Sequence, residues 1–466
     1  MDTTCPEATW IDESIIQETL NKTEGSNPSR IQEILAKALK LKGLDMAEVA
    51  ALATVRDPEM LEEIYHTAKQ VKEEIYGPRL VLFAPLYISN LCNNECVYCA
   101  FRRSNKALDR RTLTQTEIAE ETRILINQGH KRVLLVAGES YPNEGFKYVL
   151  DSIATVYSVK EGAGEIRRVN ANVAPLPLEE FKLLKEAGIG TYQCFQETYH
   201  RETYSKVHLS GLKRKYDWRV TAFDRAMQAG IDDVGVGVLF GLYDWRFEIL
   251  ALMQEIEHLE KEFGVGCHTI SVPRMEPALG SNIAENPPYP VADEDFKKIV
   301  AILRLAVPYT GIIMSTRETA KLRTETLALG VSQISAGSRT NPGGYAEDEQ
   351  FVAAQFQLGD HRSLAEVIKD VADMGYIPSF CTGCYRLGRT GQDFMDMAKP
   401  GLIKEKCGPN ALSTFLEYLI DYATPEAAAA GEKAIAQNLA RMAPKTRAIS
   451  EGLISRVRQG KRDVFC

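Results

Sequence analysis

The chain has 466 residues, carries a net charge of −8, and is 45% hydrophobic. No apolar run approaches the roughly 20 residues that a membrane span requires, and the acidic N-terminus lacks a signal-peptide pattern, so we expect a cytoplasmic protein without membrane contact. The acidic balance also disfavours nucleic acid as a partner, because phosphate binding needs clustered lysine and arginine, and it favours a small-molecule substrate.

Three stretches with different patterns follow one another along the chain. Residues 1–77 repeat apolar and charged positions at helical spacing, with breaks at Gly43 and Pro58, which predicts an N-terminal helical layer. In residues 78–340, short apolar runs alternate with amphipathic helical segments. Residues 341–466 lack this alternation, and we expect them to form a mostly helical C-terminal extension.

The apolar runs of the middle stretch number eight, and they read LVLFAPLYIS, RVLLVAGES, IRRVNANVAP, TYQCFQET, DVGVGVLFG, CHTISVPR, GIIMSTRE and QISAGSRT. Eight β/α units predict an α/β fold of the (β/α)8 TIM-barrel type. A doubly wound open sheet is the competing arrangement. We favour the barrel because the count reaches eight and because polar residues gather where the runs end.

Three cysteines stand directly after the first strand run, in ISNLCNNECVYCAFRRS. Cys92, Cys96 and Cys99 are separated by three and then two residues, which in a reducing compartment indicates a metal or redox site rather than disulfides. A 4Fe-4S cluster normally takes four thiolates, so three would leave one iron open to a substrate or cofactor. A structural zinc site is the alternative, but neither Tyr98 nor Phe101 supplies its fourth ligand.

This C-x3-C-x2-C loop after the first strand resembles that of the radical S-adenosylmethionine enzymes. The resemblance implies that the open iron binds the methionine moiety of S-adenosylmethionine and that reduction releases a 5′-deoxyadenosyl radical. The stretch AGES, with Gly138 and Glu139, is similar to the element that holds the methionine amine. GVGVLFG, with Gly235 and Gly237, is similar to the glycine-rich strand on the adenine side, although glycines in a strand also indicate close packing.

A second set of three cysteines lies in the C-terminal extension. Two residues separate Cys381 from Cys384, and 22 residues separate Cys384 from Cys407. Spacing alone leaves open a zinc site completed by a distant histidine. On a barrel with the first triad, this C-x2-C-x22-C pattern resembles the HydG family of hydrogenase maturases, and the resemblance covers essentially the whole chain. The related ThiH family of 2-iminoacetate synthases lacks the cysteine-bearing extension.

The resemblance to the HydG family implies a tyrosine lyase with two iron–sulfur clusters. At the N-terminal 4Fe-4S cluster, a hydrogen is removed from the amine of L-tyrosine, and Cα–Cβ cleavage gives p-cresol and dehydroglycine. Dehydroglycine breaks down to carbon monoxide and cyanide, which a C-terminal 4Fe-4S cluster with an additional iron collects as an iron carbonyl-cyanide unit for FeFe hydrogenase. Implied partners are an electron donor such as ferredoxin or flavodoxin and other hydrogenase maturation proteins.

The sixth run, CHTISVPR, places two candidates at opposite ends of one strand. Arg274 lies at the barrel mouth, where we expect its planar guanidinium to hold the tyrosine carboxylate by a bidentate pair. His268 lies six residues earlier, roughly 20 Å away at strand rise, and we expect it to bind the additional iron. A core histidine bonded to backbone is the alternative for His268, and His258 is the rival ligand.

Other polar residues end strand runs at the mouth, where we expect some to contact substrate or nucleoside and others to cap loops: Asn172, Gln196, Glu197, Arg317 and Ser338. Cys194 and Cys267 lie inside strand runs and are expected in the core, with a metal role for Cys267 left open. Cys5 and Cys466 lie near the termini and are expected to be mobile.

Two alternative functions stay open from the sequence. The first is a ThiH-like 2-iminoacetate synthase that delivers dehydroglycine to thiazole synthesis and has a merely structural second triad. The second is a non-catalytic iron–sulfur carrier or scaffold that uses both triads to store clusters.

Overall fold

Among the residues that the structure describes, four helices precede the first strand: α1 (Glu13–Thr23), α2 (Pro28–Ala38), α3 (Met46–Thr54) and α4 (Pro58–Tyr76). The computed structural model describes residues 5–23, 27–142, 144–347 and 353–466. Local sequence fixes where these helices start, because Asp45 and Asp57 accept bonds from backbone N–H groups as N-caps of α3 and α4. The four helices form the expected N-terminal layer, which packs on helices outside the barrel.

The strands of the described ranges are β1 (Arg79–Ser89), β2 (Arg132–Ala137), β3 (Lys160–Glu161), β4 (Gly164–Glu165), β5 (Arg168–Asn172), β6 (Tyr192–Gln193), β7 (Val234–Gly237), β8 (Thr269–Ser271), β9 (Gly311–Met314), β10 (Gln333–Ser335) and β11 (Ile377–Ser379). All eight strand runs predicted from the sequence contain one of them. The strands β3 and β4 form a small separate hairpin.

Eight parallel strands close into a barrel in the order β1, β2, β5, β6, β7, β8, β9 and β10. Closure comes from the pairing of β1 with β10, in which Val81 stands opposite Gln333 and Phe83 opposite Ser335. The predicted (β/α)8 barrel is therefore confirmed, and the open-sheet alternative is wrong. Because all strands run in one direction, their C-terminal ends share one face of the barrel, the mouth.

The helices of the barrel layer are α5 (Gln115–Asn127), α6 (Lys147–Ser158), α7 (Leu178–Glu186), α8 (Arg201–Val207), α9 (Tyr216–Val220), α10 (Ala222–Gln228), α11 (Trp245–Phe263), α12 (Asn282–Glu285), α13 (Asp293–Ala306) and α14 (Ala320–Leu327). The extension adds α15 (Leu364–Asp373), α16 (Gly383–Arg386), α17 (Gly391–Ala398), α18 (Lys404–Asp421), α19 (Pro425–Arg441) and α20 (Pro444–Arg458). Within the described ranges, no helix is long and apolar enough to cross a membrane.

The C-terminal extension joins the sheet through β11. This strand pairs in parallel with the first residues of β1, with Arg79 opposite Ile377 and Val81 opposite Ser379. Because β11 lies beside the start of β1, the chain that follows it reaches the N-terminal ends of the barrel strands. The second cysteine set is thereby carried to the face opposite the mouth, here called the bottom of the barrel.

Candidate functional site

The mouth of the barrel holds a cavity of about 190 Å³ that the first cysteine triad lines. Cys92, Cys96 and Cys99 reach it from the loop that follows β1. Gly138 packs directly beneath this loop, since a Cβ atom there would stand 2.1 Å from the carbonyl oxygen of Leu91. The close approach of the loop to the end of β2 therefore requires glycine at this position.

Side chains outside the triad hold the cysteine loop in place. Arg110 Nη1 donates to two backbone carbonyl oxygens, each at 2.8 Å. The ring of His208 lies with Nδ1 3.0 Å from the Tyr204 carbonyl oxygen and Nε2 2.8 Å from the Tyr98 hydroxyl. Burial lowers the pKa of His208, so the ring is neutral, Nδ1–H donates to the carbonyl and Nε2 accepts from Tyr98. These bonds tie the cysteine loop to its neighbours without any contribution from a ligand.

An ionised carboxylate stands beside the triad at the end of β2. Glu139 accepts bonds from Asn94 Nδ2 at 2.7 Å and from Arg219 Nη1 at 2.8 Å. Burial alone would raise the pKa of Glu139, but Arg219 and Lys213 outweigh burial and the net pKa lies below its usual value. Glu139 therefore offers a negatively charged acceptor to a cationic group of a ligand.

A second carboxylate of the same wall has an uncommon backbone conformation. Glu197 has φ of 72°, in the left-handed region that side chains seldom adopt. Its Oε1 atom accepts a bond from Lys213 Nζ at 2.6 Å. Burial and Arg219 would lower the pKa of Lys213, but Glu197, Cys96 and Glu139 outweigh them and raise it. This wall of the cavity thus combines two carboxylates with two fixed cations.

Sequence reasoning missed both of these cations. Lys213 and Arg219 lie in the connection after β6, in the stretch KRKYDWR, which leads into α9 and α10. The available signal was a dense basic stretch in the connection between β6 and β7, in a chain of negative net charge.

The thiols of the mouth are costly to ionise without a bound cation. Burial raises the pKa of Cys92 to about 11 and also raises the pKa values of Cys96 and Cys99. Among the residues that the structure describes, no three His, Cys, Asp or Glu side chains converge as a single metal ion requires. A 4Fe-4S cluster makes a different demand, because each thiolate binds a separate iron. Three unpaired thiols in one loop fit such a cluster.

The opposite wall of the cavity comes from the ends of β8 and β9. Arg317 lies with its guanidinium carbon 3.3 Å from the centroid of the Phe356 ring, which fixes the guanidinium against an apolar face. Glu276 lines the same wall. From the extension, Gln355 accepts a bond from the Tyr87 hydroxyl at 2.7 Å and places its own Nε2 atom 3.8 Å from Cys99 Sγ.

Arg274, which was expected to hold the tyrosine carboxylate at the mouth, does not line the cavity. Its Nε atom donates to Glu318 Oε1 at 3.0 Å, and Nη2 donates to Oε2 of the same carboxylate. Its Nη1 atom donates to the Val291 carbonyl oxygen at 2.8 Å and to Asp293 at 2.9 Å. Every nitrogen of the guanidinium is therefore already bonded within the protein.

The other mouth residues singled out from the sequence differ in where they lie. Asn172 lines the cavity and donates to the Gln193 carbonyl oxygen at 2.9 Å. Gln196 and Ser338 lie outside the lining, and their buried polar side-chain atoms have no hydrogen-bond partner among the described residues. Gly235 and Gly237 pack against neighbouring strands, since a Cβ atom would stand 2.5 Å from Thr269 Oγ1 at the first and 2.9 Å from Phe195 Cδ1 at the second. Close packing therefore suffices to explain both glycines.

The bottom of the barrel holds a smaller cavity, of about 50 Å³, lined by the second triad. Cys381 follows β11, Cys384 lies in α16 and Cys407 lies in α18. Burial raises the pKa of Cys381 to about 11 and that of Cys384 to about 12. Thiolates here, as at the mouth, would need a bound cation to stabilise them.

His268 lines the bottom cavity together with the second triad. Its Nε2 atom lies 3.3 Å from the Tyr385 hydroxyl, and its Nδ1 atom lies 3.6 Å from Asp233 without a hydrogen bond. Burial lowers the pKa of His268 despite Asp233, so the imidazole is in the neutral form that binds metals. The rival His258 does not line this cavity and instead stacks on Trp10, with ring centroids 3.6 Å apart.

Three arginine side chains, those of Arg79, Arg132 and Arg389, also line the bottom cavity. Arg132 Nη1 donates to the Cys381 carbonyl oxygen at 3.0 Å. The Nε atoms of Arg79, Arg132 and Arg389 are buried without a hydrogen-bond partner, as is Thr382 Oγ1. Buried donors of this kind are rare unless a ligand or ordered water satisfies them. The bottom cavity therefore fits a negatively charged ligand set.

The remaining cysteines lie outside both cavities. Cys194 and Cys267 are buried, at 2% and 0% exposure, as expected of core residues, and Cys5 lines neither cavity. The expectation of a mobile Cys466 is wrong. Its N–H donates to Asn410 Oδ1 at 2.8 Å and its carbonyl oxygen accepts from Arg389 Nη2 at 2.6 Å, which fixes the tail against α18.

Two family patterns match the sequence. Residues 86–256 match the radical SAM superfamily, and residues 271–377 match the Biotin and Thiamin Synthesis associated domain. The first match includes the mouth triad, whereas neither match reaches Cys381, Cys384 or Cys407.

Individual proteins of known identity resemble the chain over much or all of its length. The 2-iminoacetate synthase of Salmonella typhimurium is 30% identical over 357 residues, which cover 76% of this chain and 92% of that one. A crystal structure of HydG, a maturase of the FeFe-hydrogenase, has a TM-score of 0.95 at 48% identity and covers 98% of this chain and 100% of that one. The maturase HydG from Carboxydothermus hydrogenoformans has a TM-score of 0.84 at 41% identity, with 97% and 100% covered.

Proposed function

Because the chain belongs to the radical SAM superfamily and, within it, to the HydG family, we propose that it matures FeFe hydrogenase. It cleaves the Cα–Cβ bond of L-tyrosine to p-cresol and dehydroglycine, and it converts dehydroglycine to carbon monoxide and cyanide. These diatomics leave the protein as an iron carbonyl-cyanide unit assembled at the bottom of the barrel.

One observation supports this function over its alternatives: two thiol triads lie at opposite ends of one barrel. The mouth triad lines one cavity, and Cys381, Cys384 and Cys407 line the other together with His268. A lyase that only releases an amino-acid fragment needs the first triad alone. An enzyme that captures toxic diatomics needs a second metal centre, reached through the interior of the barrel.

At the mouth, Cys92, Cys96 and Cys99 would hold a 4Fe-4S cluster, which supplies a 5′-deoxyadenosyl radical together with bound S-adenosylmethionine. Glu139 is ionised and accepts hydrogen bonds from the methionine ammonium group. Asn172 offers a polar group from the same wall to the nucleoside.

Arg317 takes the role that Arg274 was expected to play. Its guanidinium lines the cavity and makes no ion pair with an acidic residue among the described residues, whereas Arg274 is fully bonded to Glu318 and its neighbours. A planar guanidinium held against Phe356 is preorganised for a bidentate pair with a carboxylate. Arg317 therefore anchors the carboxylate of tyrosine.

At the bottom, the second triad would hold a 4Fe-4S cluster, and His268 would bind the additional iron. The neutral imidazole has a buried Nδ1 without a hydrogen-bond partner and an Nε2 that faces Tyr385. The surrounding arginine side chains offset the negative charge of thiolates and cyanide.

The proposal extends to domain organisation and partners. The helical layer is residues 1–77, the catalytic barrel is residues 78–340, and residues 341–466 carry the second cluster. A cluster held by Cys92, Cys96 and Cys99 would take its electron from a donor such as ferredoxin or flavodoxin in the cytoplasm, and other hydrogenase maturation proteins would receive the product.

A second candidate function, 2-iminoacetate synthesis, is favoured by the 30% identity to an enzyme of that name over 92% of its length. That candidate predicts p-cresol and dehydroglycine without metal-bound diatomics. A non-catalytic carrier of clusters predicts neither p-cresol nor cleavage of S-adenosylmethionine.

The test is an anaerobic assay of the reconstituted protein with L-tyrosine, S-adenosylmethionine and a reductant. Chromatography measures p-cresol and 5′-deoxyadenosine, while infrared spectroscopy detects metal-bound carbonyl and cyanide. We expect all of these products. The 2-iminoacetate synthase alternative predicts p-cresol without the infrared bands, and the carrier alternative predicts that none of these products forms.

A further inference from the structure

Two side chains of opposite charge line one wall of the mouth cavity without pairing. Glu276 follows β8 and Arg317 follows the adjacent strand β9. The Glu276 carboxylate makes no hydrogen bond or ion pair with the described residues, and the Arg317 guanidinium contacts the Phe356 ring. In contrast, Arg274 and Glu318, from the same two strand ends, form a bidentate pair.

Leaving the Glu276 carboxylate and the Arg317 guanidinium unpaired is unfavourable in free energy unless a ligand binds between them. Both groups are partly removed from water, and each is close enough to shift the pKa of the other. Partly buried charges lose hydration and normally recover that loss by pairing. A ligand that brings one positive and one negative group satisfies both, and an α-amino acid in its zwitterionic form has this charge pattern.

We propose that Glu276 binds the ammonium group of the amino-acid substrate, while Arg317 binds its carboxylate, and that Glu276 then accepts one ammonium proton. This inference rests on the proposed tyrosine lyase function. The transferred proton converts R–NH3+ and a carboxylate into R–NH2 and a carboxylic acid, and no electron moves. The amine is therefore neutral when a hydrogen atom is removed from it.

The environment of Glu276 suits a group that takes up a proton near neutral pH. Burial raises the pKa of Glu276 to about 7; Glu318 adds to this shift, and Arg317 and Arg274 oppose it. A general base is most effective when its pKa lies near the working pH. An ammonium ion bound beside Glu276 favours the ionised carboxylate until the proton is transferred.

The first experiment compares Glu276→Gln with the matched control Glu285→Gln, an exposed glutamate of α12. General-base catalysis contributes about 100-fold or more, so kcat/KM for p-cresol formation at pH 7 should fall about 100-fold in Glu276→Gln and stay at the wild-type value in Glu285→Gln. The rate in Glu276→Gln should recover as the pH rises and the free amine forms in solution. Glu276→Asp should retain part of the activity, because it keeps a carboxylate.

The second experiment separates ammonium recognition from a general loss of structure. Inhibition constants are measured for tyramine, which lacks the carboxylate, and for 3-(4-hydroxyphenyl)propanoate, which lacks the amine. The affinity of Glu276→Gln for the propanoate, relative to its affinity for tyrosine, should be at least tenfold higher than in the wild type. The affinity for tyramine relative to that for tyrosine should be unchanged. Iron content and formation of 5′-deoxyadenosine show that the variant is folded and loaded.

Three results would overturn the inference: a wild-type rate and pH profile for Glu276→Gln, an equal shift of both analogue ratios, or no rescue at high pH in a loaded variant. Failure of the proposed function looks different, because the wild-type protein itself would then form no p-cresol from L-tyrosine.

Discussion

At the mouth of the barrel, three thiols come from one short loop, whereas at the bottom they come from two segments of the C-terminal extension. The mouth loop is fixed by its own neighbours, such as Arg110 and the Tyr98–His208 pair. The bottom triad depends on β11, whose pairing with β1 carries Cys381 under the barrel. The mouth triad is thus positioned by local sequence, whereas the bottom triad is positioned by the topology of the fold.

The two ends of the barrel also differ in the charged residues that line them. The mouth balances Glu139 and Glu197 against Lys213 and Arg219, which suits a zwitterionic ligand. The bottom has an excess of arginine, with buried donors that lack partners. Two environments of this kind favour different chemistry on similar thiol sets, and substitutions at one end should leave the other end intact.

The largest effect is expected from removal of the mouth thiols. Replacing Cys92, Cys96 and Cys99 with Ala should abolish both 5′-deoxyadenosine and p-cresol, because the mouth cluster can no longer bind. Iron and sulfide bound at the bottom should remain, at about half of the wild-type content if each triad holds one cluster. Substantial residual p-cresol would refute the radical mechanism, and complete loss of iron would show that the two ends are not independent.

The next effect concerns the substrate anchor of the mouth. Arg317→Lys keeps the charge but loses the planar fork that positions the substrate carboxylate. Because the substrate is then misplaced, tyrosine turnover to p-cresol should fall about 100-fold. Arg274→Lys is the matched control. It should lower the melting temperature, because it disrupts the pair with Glu318, and should have little effect on tyrosine turnover. The reverse ranking of the two variants in tyrosine kinetics would return the anchoring role to Arg274.

At the bottom, loss of one imidazole should have a milder effect. His268→Ala should retain the cubane of the second cluster and lose the additional iron, because the imidazole supplies only part of that iron's coordination. We expect the infrared bands of the carbonyl-cyanide product to fall about tenfold, while p-cresol formation is unchanged. His258→Ala is the control, since its ring stacks on Trp10 away from the cavity. Undiminished bands in His268→Ala would assign the iron to another ligand.

The smallest effect concerns a buried carboxyl group outside both ends, which contributes to the stability of the fold. Glu255 is fully buried and accepts a bond from Trp10 Nε1 at 2.8 Å. Burial raises its pKa to about 8, above the usual value of about 4.3. Its protonated form is favoured in the fold, so this group's stabilising contribution is present at low pH and is lost as the pH rises toward 8.

Glu255→Gln cannot ionise and keeps an acceptor for Trp10, so its melting temperature should fall less than that of the wild type between pH 6 and pH 8.5. Glu257→Gln, an exposed neighbour on α11, should follow the wild type. Parallel pH dependence in all three proteins would contradict the raised pKa.

Sequence patterns predicted the barrel well because each strand run carries its own signal of β-branched residues that end in polar ones. They also placed the mouth triad, whose three thiols lie within a single loop. They did not reveal that Glu318 from the next strand binds the guanidinium of Arg274, because a strand-end position gives no information about its partners. Cys466 was expected to be mobile, since bonds from Asn410 and Arg389 cannot be inferred from a terminal position.

Lys213 and Arg219 were missed for a related physical reason. They belong to the connection after β6 and reach the cavity only because the fold returns that segment over the mouth. The predicted roles of Gln196 and Ser338 stay predictions, and neither side chain lines the mouth cavity. Local patterns thus predict elements and compact motifs, whereas partners contributed by distant segments require the assembled fold.

The independence of the two ends is tested most directly by one variant measured with two readouts. Cys407→Ser removes a thiol from the bottom triad and leaves every residue of the mouth unchanged. After anaerobic reconstitution, we expect p-cresol formation from L-tyrosine at close to the wild-type rate, with no infrared bands of metal-bound carbonyl and cyanide. Normal carbonyl and cyanide bands from this variant would contradict the assignment of a second cluster to the bottom of the barrel.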